Sequence, residues 1–366
     1  MQAESQNGMV KQTRRTGKDI LHVAQRAGVS PATVSRVTNG STSVDKKLAS
    51  RVWKAIKELG YVPNPSARAL VSGRSRTLGL LISEMTNPFF PELIQSFEDV
   101  AASHDFEVMV GSTNYNRERA AIFIRRLVQR RVEGVAVMTF RDEEHLLDEL
   151  AVHHVPMVSI EESTRTPLSA VLEVEYGKGI DEAVQHLGII GHRRIGFASG
   201  PMPHLTNVRR RDAFIRSCRS IGIGEQDSPV FYGEHTFEGG TKAAEHFLSL
   251  KRRPDAIMCS NDLMAVGVLR VLAERKIAVP SQISVVGFDD IHLAEFANPP
   301  LSTVRMSRKA LALSAFNALD YMRQGKLPAP EPIRIPTRFV LRQSTDSPSG
   351  SFRAGKRAIR ESPLLR

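Results

Sequence analysis

The side chains best placed to do chemistry are Thr33, Ser35 and Arg36, set among Val34 and Val37 directly after Gly28-Val29-Ser30-Pro31-Ala32. Ser30 followed by Pro31 is a helix start: a hydroxyl to cap, then a ring whose fixed φ suits the first helical position. Val34 and Val37, with Val29 before the cap, are expected to pack inward, which leaves Thr33, Ser35 and Arg36 facing out. Upstream, Ile20, Val23, Ala24 and Ala27 fall at i, i+3, i+4 and i+7, one apolar face of a first helix. Two short helices joined by a Gly-containing turn form a helix-turn-helix, whose second helix enters the DNA major groove. The same pattern occurs in helix pairs with no nucleic-acid role, and charge separates the two readings. Residues 1–76 hold 14 Lys and Arg against 4 Asp and Glu, a net +10 of the +11 that the whole chain carries. Positive charge confined to one small module is the electrostatic footprint of nucleic-acid binding.

Other reactive residue types do not assemble into a catalytic pattern. The pairs His153-His154 and His186/His192 lack a carboxylate or cysteine at metal-ligand spacing and fit solvated helix ends or loops. Cys218 and Cys259 are the only cysteines and lie far apart, which suits a reducing cytoplasm. No phosphate-cradling Gly-rich loop and no Gly-x-Ser-x-Gly is present. The expectation is a protein that is not an enzyme, with no catalytic residues, no metal and no cofactor. With 41% hydrophobic and 24% charged residues over 366 positions, the composition is that of a globular protein of two or three domains. The polar, basic first residues hold no apolar signal region, and no run approaches the 18 apolar residues a membrane span needs. A cytoplasmic location, with no membrane partner, is therefore expected.

The elements that must position these residues follow in order. Residues 1–17 read as a disordered leader and 18–63 as a three-helix module. Its third helix is capped by Asp45, striped by Leu48, Val52, Ile56 and Leu59, and ended by Gly60. Trp53, the single tryptophan, is expected to pack. Residues 64–75 form a linker in which Asn64 and Pro65 start a helix of under two turns, too short to be stable alone. From Thr77 short apolar runs alternate with amphipathic helices, the pattern of buried parallel sheet, and the pattern restarts after Val174. The fold class is α/β: a helix-turn-helix domain, a hinge helix, then two doubly wound subdomains. These occupy 76–342, with an N-subdomain of about 76–173 plus 303–325 and a C-subdomain of about 174–300 plus 326–342. Ligands bind such sheets at the carboxyl ends of strands or in the cleft between units. After Leu301 a helix is expected over Ser307 to Arg323, then a last extended run over Ile333 to Leu341, and the tail at 343–366 is expected to be disordered.

This order of parts resembles the lactose-repressor/galactose-repressor (LacI/GalR) family of bacterial transcriptional regulators, over roughly Lys18 to Arg342. The likeness rests on Ala-Gly-Val-Ser-Pro-Ala-Thr-Val-Ser-Arg-Val at 27–37, Leu-Gly-Tyr-Val-Pro-Asn at 59–64 and Ala-Arg-Ala-Leu at 67–70. It continues through Asn87-Pro88-Phe89-Phe90, Gly191-His192-Arg193-Arg194-Ile195, Ser260-Asn261-Asp262, Val286-Gly287-Phe288-Asp289-Asp290 and the stretch Asn298 to Val304. The resemblance implies a homodimer on a near-palindromic operator, with periplasmic-binding-protein-like subdomains closing on a small-molecule effector, a sugar or related metabolite. Cleft closure would permit or forbid the short hinge helix.

Carried across residue by residue, Pro31, Ala32 and Arg36 face base edges, with Thr33 and Ser35 beside them. Arg36 is the candidate guanine reader, because its planar fork bonds O6 and N7 together. Ser30, Asn39, Tyr61 and Asn64 match phosphate-contacting positions, which set register. Leu70, with Ala67 beside it, matches the hinge wedge that unstacks a central base step. For the effector the resemblance points to Phe89, Phe90, Glu161, Arg210, His235, Asp262 and Asp289. Asp262 equally suits a helix cap, and the phenylalanines equally suit a core. Two positions depart from the family. His22 stands where an acidic residue is usual, with Asp19 available to cap instead, and His235 replaces a commoner aromatic. The competing reading is a solute-binding protein of periplasmic type, which would need a signal peptide and no basic helical head.

Overall fold

The computed structural model describes residues 19–38, 44–62, 75–139, 144–161, 166–202, 204–328 and 331–348. The expected leader at 1–17, Asn39, the hinge residues Asn64, Ala67 and Leu70, and the tail from 349 lie outside the described residues. The chain divides into two compact units, Met1–Ser75 and Arg76–Arg366.

The first unit is built from α1 (Ile20–Ala27), α2 (Pro31–Thr38) and α3 (Lys46–Leu59). Asp19 caps α1, its carboxylate accepting from the backbone N–H of Leu21 and His22. His22 Nδ1 lies 2.7 Å from the same carboxylate, so the departure at His22 leaves the helix start intact. Gly28, with φ +62, ends α1 in the left-handed region, and a Cβ there would stand 2.8 Å from Arg51 Nη2. That guanidinium donates to Ala27 O at 2.6 Å and ties α3 across the turn. Val23, Ala24, Ala27, Val34, Val37, Val52, Ala55 and Ile56 form the core. Trp53 does not join it. The ring is 51% exposed, because the inward stripe of α3 runs through Val52, Ala55 and Ile56 and turns its neighbour outward.

The second unit holds two parallel sheets joined through one strand. The first contains β1 (Thr77–Ile82), β2 (Glu107–Ser112), β3 (Val135–Met138), β4 (Met157–Ile160) and β5 (Ser169–Glu175), in the order β2-β1-β3-β4-β5. Its helices are α4 (Phe89–Ser103), α5 (Arg117–Gln129) and α6 (Glu144–Val152). The second contains β6 (Ile195–Ser199), β7 (Val230–Tyr232), β8 (Ala256–Cys259), β9 (Ser284–Asp289) and β10 (Ser302–Met306), in the order β7-β6-β8-β9-β10. Its helices are α7 (Tyr176–Ile189), α8 (Leu205–Ser220), α9 (Phe237–Ser249), α10 (Asp262–Glu274) and the short α11 (Leu293–Phe296). Then α12 (Arg308–Arg323) packs on α4 of the first half, and β11 (Ile333–Val340) closes the unit. Ile333–Pro336 pair parallel with β5, and Thr337–Val340 pair antiparallel with β10. One strand thus belongs to both sheets.

Several expectations are corrected here. The strand β10 follows Leu301, where none is expected from the sequence. Ser302 and Thr303 are wholly buried yet polar, and their hydrogen bonds to Ser344, Thr345 and Asp262 replace the apolar side chains that would have marked a strand. Residues 303–306 therefore belong to the C-subdomain sheet, and the return to the N-subdomain begins at α12. The first half of β11, expected in the C-subdomain, pairs with the N-subdomain sheet. The start of the tail is also ordered. Ser344 is fully buried, its carbonyl accepts from Val285 N at 2.8 Å, and Gln343 N donates to Pro300 O at 3.0 Å. His192, expected in a solvated loop, is completely buried. Its Nδ1 lies 3.1 Å from Asp255 and its Nε2 lies 2.9 Å from Ser284 Oγ and 3.1 Å from Asp346 O.

Candidate functional site

In the first unit, α2 carries the residues expected to face DNA. Ser30 Oγ accepts from Thr33 N at 3.2 Å, so the hydroxyl that marked the helix start performs that capping. Val34 and Val37 are buried, while Pro31, Ala32 and Arg36 are exposed and Thr33 and Ser35 half-buried. The side of the helix away from the core thus carries two small apolar residues, two hydroxyls and a guanidinium. Tyr61, just past the end of α3, packs partly against the core.

In the second unit, a cavity of about 140 Å³ lies where the two sheets point their carboxyl ends. Phe89 and Phe90 open α4 after β1, with their rings edge-to-face at 5.5 Å. Arg210 comes from α8 after β6, His235 from the loop after β7, and Asp289 from the end of β9. In both sheets the strand order reverses beside the first strand, at β1/β3 and at β6/β8. The crevice at such a reversal is where doubly wound sheets bind ligands.

Arg210 is fixed before any ligand arrives. Its guanidinium lies 4.2 Å from the centre of the Phe288 ring and 4.9 Å from that of Tyr176, and Nη1 donates to Ser260 O at 2.6 Å. Nη2 is 3.8 Å from Asp289 Oδ1. Arg210 Nε and Asn207 Oδ1, both buried, have no hydrogen-bond partner among the described residues. A buried donor or acceptor without a partner costs about 1–3 kcal/mol.

Burial pushes Asp289 up to about 7, against the pull of Arg210 and Arg308. Burial, with Arg210 and His204 adding to it, pushes His235 down to about 3, so the imidazole is neutral. Its Nε2 lies 2.9 Å from Ser260 Oγ. The ring rests so closely on Gly200 that a Cβ at that position would collide with it.

Two expected residues stand outside the cavity. Asp262 is wholly buried beneath it, accepting from Thr303 Oγ1 at 2.6 Å and Ile291 N at 2.8 Å, and burial raises it well above the usual carboxylate range. The cap of α10 is Asn261, which accepts from Met264 N at 2.9 Å and itself lines the cavity. Glu161 pairs with Arg209, the neighbour of Arg210, and accepts from Val174 N at 3.0 Å; burial raises it, with Val174 and Arg209 opposing. Adjacent arginines thus serve different sites. Sequence reasoning missed Glu84, Tyr115, His204, Thr206 and Asn207. Asn87 and Asn261 were signalled only as parts of the strings at 87–90 and 260–262.

Burial also pushes the Cys218 thiol up to about 12 and raises Cys259, which leaves both as buried packing groups. Among the described residues no cluster of three His, Cys, Asp or Glu could hold a metal ion, and no helix is long and apolar enough to cross a membrane.

Residues 19–64 match the family described as bacterial regulatory proteins, lacI family, and residues 184–345 match the periplasmic binding protein-like domain. Over 337 residues the chain is 32% identical to the HTH-type transcriptional repressor PurR of Edwardsiella ictaluri (strain 93-146), covering 91% of this chain and 99% of that protein. It is 29% identical to catabolite control protein A of Priestia megaterium, covering 89% and 98%. Among solved structures, the lac repressor dimer bound to operator and the anti-inducer ONPF superposes with a TM-score of 0.81 at 25% identity, covering 90% of this chain and all of that one. The complex of the transcriptional regulator CelR with cellobiose gives a TM-score of 0.67 at 28% identity, covering 89% and 99%. The chain belongs to the LacI/GalR family of non-catalytic transcriptional regulators, in which a helix-turn-helix binds operator DNA under the control of a small-molecule effector.

Proposed function

We propose that this protein is a repressor which reads a near-palindromic operator as a homodimer in the cytoplasm, associated with the nucleoid when bound, and whose grip on DNA is set by a sugar or related small polyol. The supporting observation is the cavity at the carboxyl ends of both sheets, lined by Phe89, Phe90, Asn207, Arg210, His235 and Asp289. An apolar cavity of about 150 Å³ accepts one benzene ring, so 140 Å³ suits a single ring in size. A sugar ring offers hydroxyls to Arg210, Asn207 and Asp289 and C–H faces to the phenylalanines. The CelR structure, which holds cellobiose, shares this fold.

In this reading Phe89, Phe90, Arg210, His235 and Asp289 contact the effector, while Asp262 and Glu161 shape the site from behind. On the DNA side, Arg36 reads a base pair; Pro31, Ala32, Thr33 and Ser35 lie along the groove; Ser30, Asn39, Tyr61 and Asn64 hold phosphates. Ala67 and Leu70 enter the minor groove, and residues 64–75 act as the hinge between a domain at 18–63 and the effector domain. The test is a thermal-shift screen of monosaccharides and disaccharides on the full-length protein. A ligand present at 100 times its dissociation constant adds about 2.7 kcal/mol of stability, and Arg210→Lys should reduce that shift sharply. A panel in which no sugar raises the melting temperature would defeat the sugar assignment.

A further inference from the structure

The loop ending β9 is gripped from both halves of the second unit. Asp289 (φ +105) and Asp290 (φ +57) both occupy the left-handed backbone region, which non-glycine residues hold only where the surroundings enforce it. From the loop's own half, Asp262 accepts from Ile291 N, and the Asp290 carboxylate bonds to Arg305 and Arg342. From the other half, among the described residues, an ion-paired Arg308 and Glu92 hold it through two hydrogen bonds. Arg308, the first residue of α12, donates from Nη1 to Asp289 O at 2.7 Å, and its Nη2 lies 2.9 Å from Glu92 Oε2. Glu92 Oε1 in turn accepts from His292 N at 2.9 Å. Glu92 sits in the first turn of α4, two residues past Phe90, the second of the two phenylalanines that line the cavity.

We propose that Glu92 and Arg308 are positioning residues of the effector site: their pair ties the aromatic wall of the cavity to the loop carrying Asp289, so wall separation and the setting of the Asp289 carboxyl change together. The inference rests on reading this cavity as the effector site. Neither residue lines the cavity, so both act through Asp289. The side chains of Arg308 and Glu92 are only 17% and 27% exposed, in that order, which limits screening by water. The planar guanidinium grips a carbonyl and a carboxylate at once, which a lysine ammonium on its flexible stem does less well.

The charged groups facing Asp289 are Arg210 from α8, Arg308 from α12, Glu92 from α4 and Asp262 from α10. Because Asp289 is raised from 3.8 to about 7, the folded protein holds its proton more tightly than the unfolded chain. The resulting stabilisation is fully present below the unfolded value and is lost as pH rises through the folded one. The experiment follows the melting temperature of the full-length protein against pH, each protein compared with the same protein carrying Asp289→Asn, so that the difference isolates this carboxyl.

Arg308→Gln removes a cation and should move the midpoint up by about one pH unit. Glu92→Gln removes an anion while keeping an acceptor for His292 N–H, and should move it down. Arg308→Lys returns the charge and should bring the midpoint back towards that of the native protein. General loosening would shift both members of the pair the same way; opposite shifts require that both face Asp289. Amide exchange over 289–292 and over 89–93 should also accelerate together in Arg308→Gln, by about tenfold or more. Midpoints that stay put or move in the same direction, or exchange that rises in one segment alone, would overturn the proposal. Should Arg308→Gln fail to fold, Glu92→Gln and Arg308→Lys decide it. No effector enters the measurement, so its failure is distinct from a failed sugar screen.

Discussion

Arg36 and Arg210 have the same side chain in opposite settings. Arg36 stands on the exposed face of α2, where its fork can meet a guanine edge; Arg210 is buried and held between two rings with one donor still unmade. For Arg36→Ala we expect a loss of about 1–3 kcal/mol in operator binding and relaxed base choice at one position per half-site, read by a mobility shift over a set of operator variants. Uniform weakening across all variants would reassign it to a phosphate. For Arg210→Lys we expect effector affinity to fall by about 1.5–3 kcal/mol, the worth of a hydrogen bond to a charged group, with DNA affinity in the absence of effector retained. Residue by residue, the sequence was most legible where a role is local, as with Ser30 before Pro31 or Asp19 before Ile20. It was least legible where partners meet through the fold. Nothing near Glu161 or Asp262 in the sequence announces Arg209 or Thr303 as the groups that turn those carboxylates away from the cavity.

Elements built on an apolar period were readable to within a few residues, since period and caps are local properties. The exceptions have physical causes. β10 is buried through polar side chains that its own neighbours satisfy, and β11 is shared between two sheets, a division no period can encode. Trp53 is turned outward by the stripe beside it. At this scale, Asp45 accepts from Lys47 N at 2.9 Å and Leu48 N at 3.2 Å. Asp45→Ala should cost about 1 kcal/mol of stability in the first unit, seen as a lower melting temperature for its helices and no change in effector affinity. For the hinge, Leu70→Ala should weaken operator binding while leaving effector affinity of the DNA-free protein nearly intact; equal loss of both would contradict a role confined to DNA.

Across the whole molecule, two unequal units share out the work. The small one holds most of the excess positive charge and the helix-turn-helix, and the large one holds a cavity at two strand-order reversals. Operator affinity should fall with salt by about 0.9 in log K per phosphate contact per decade. The central claim is that effector and DNA bind one switch, and linkage makes that measurable. Using the sugar that most raises the melting temperature and a selected operator duplex, operator affinity is measured with and without saturating sugar, and sugar affinity with and without saturating operator. The account predicts the same factor in both directions, of about 5- to 150-fold. Operator affinity unchanged at saturating sugar would contradict it.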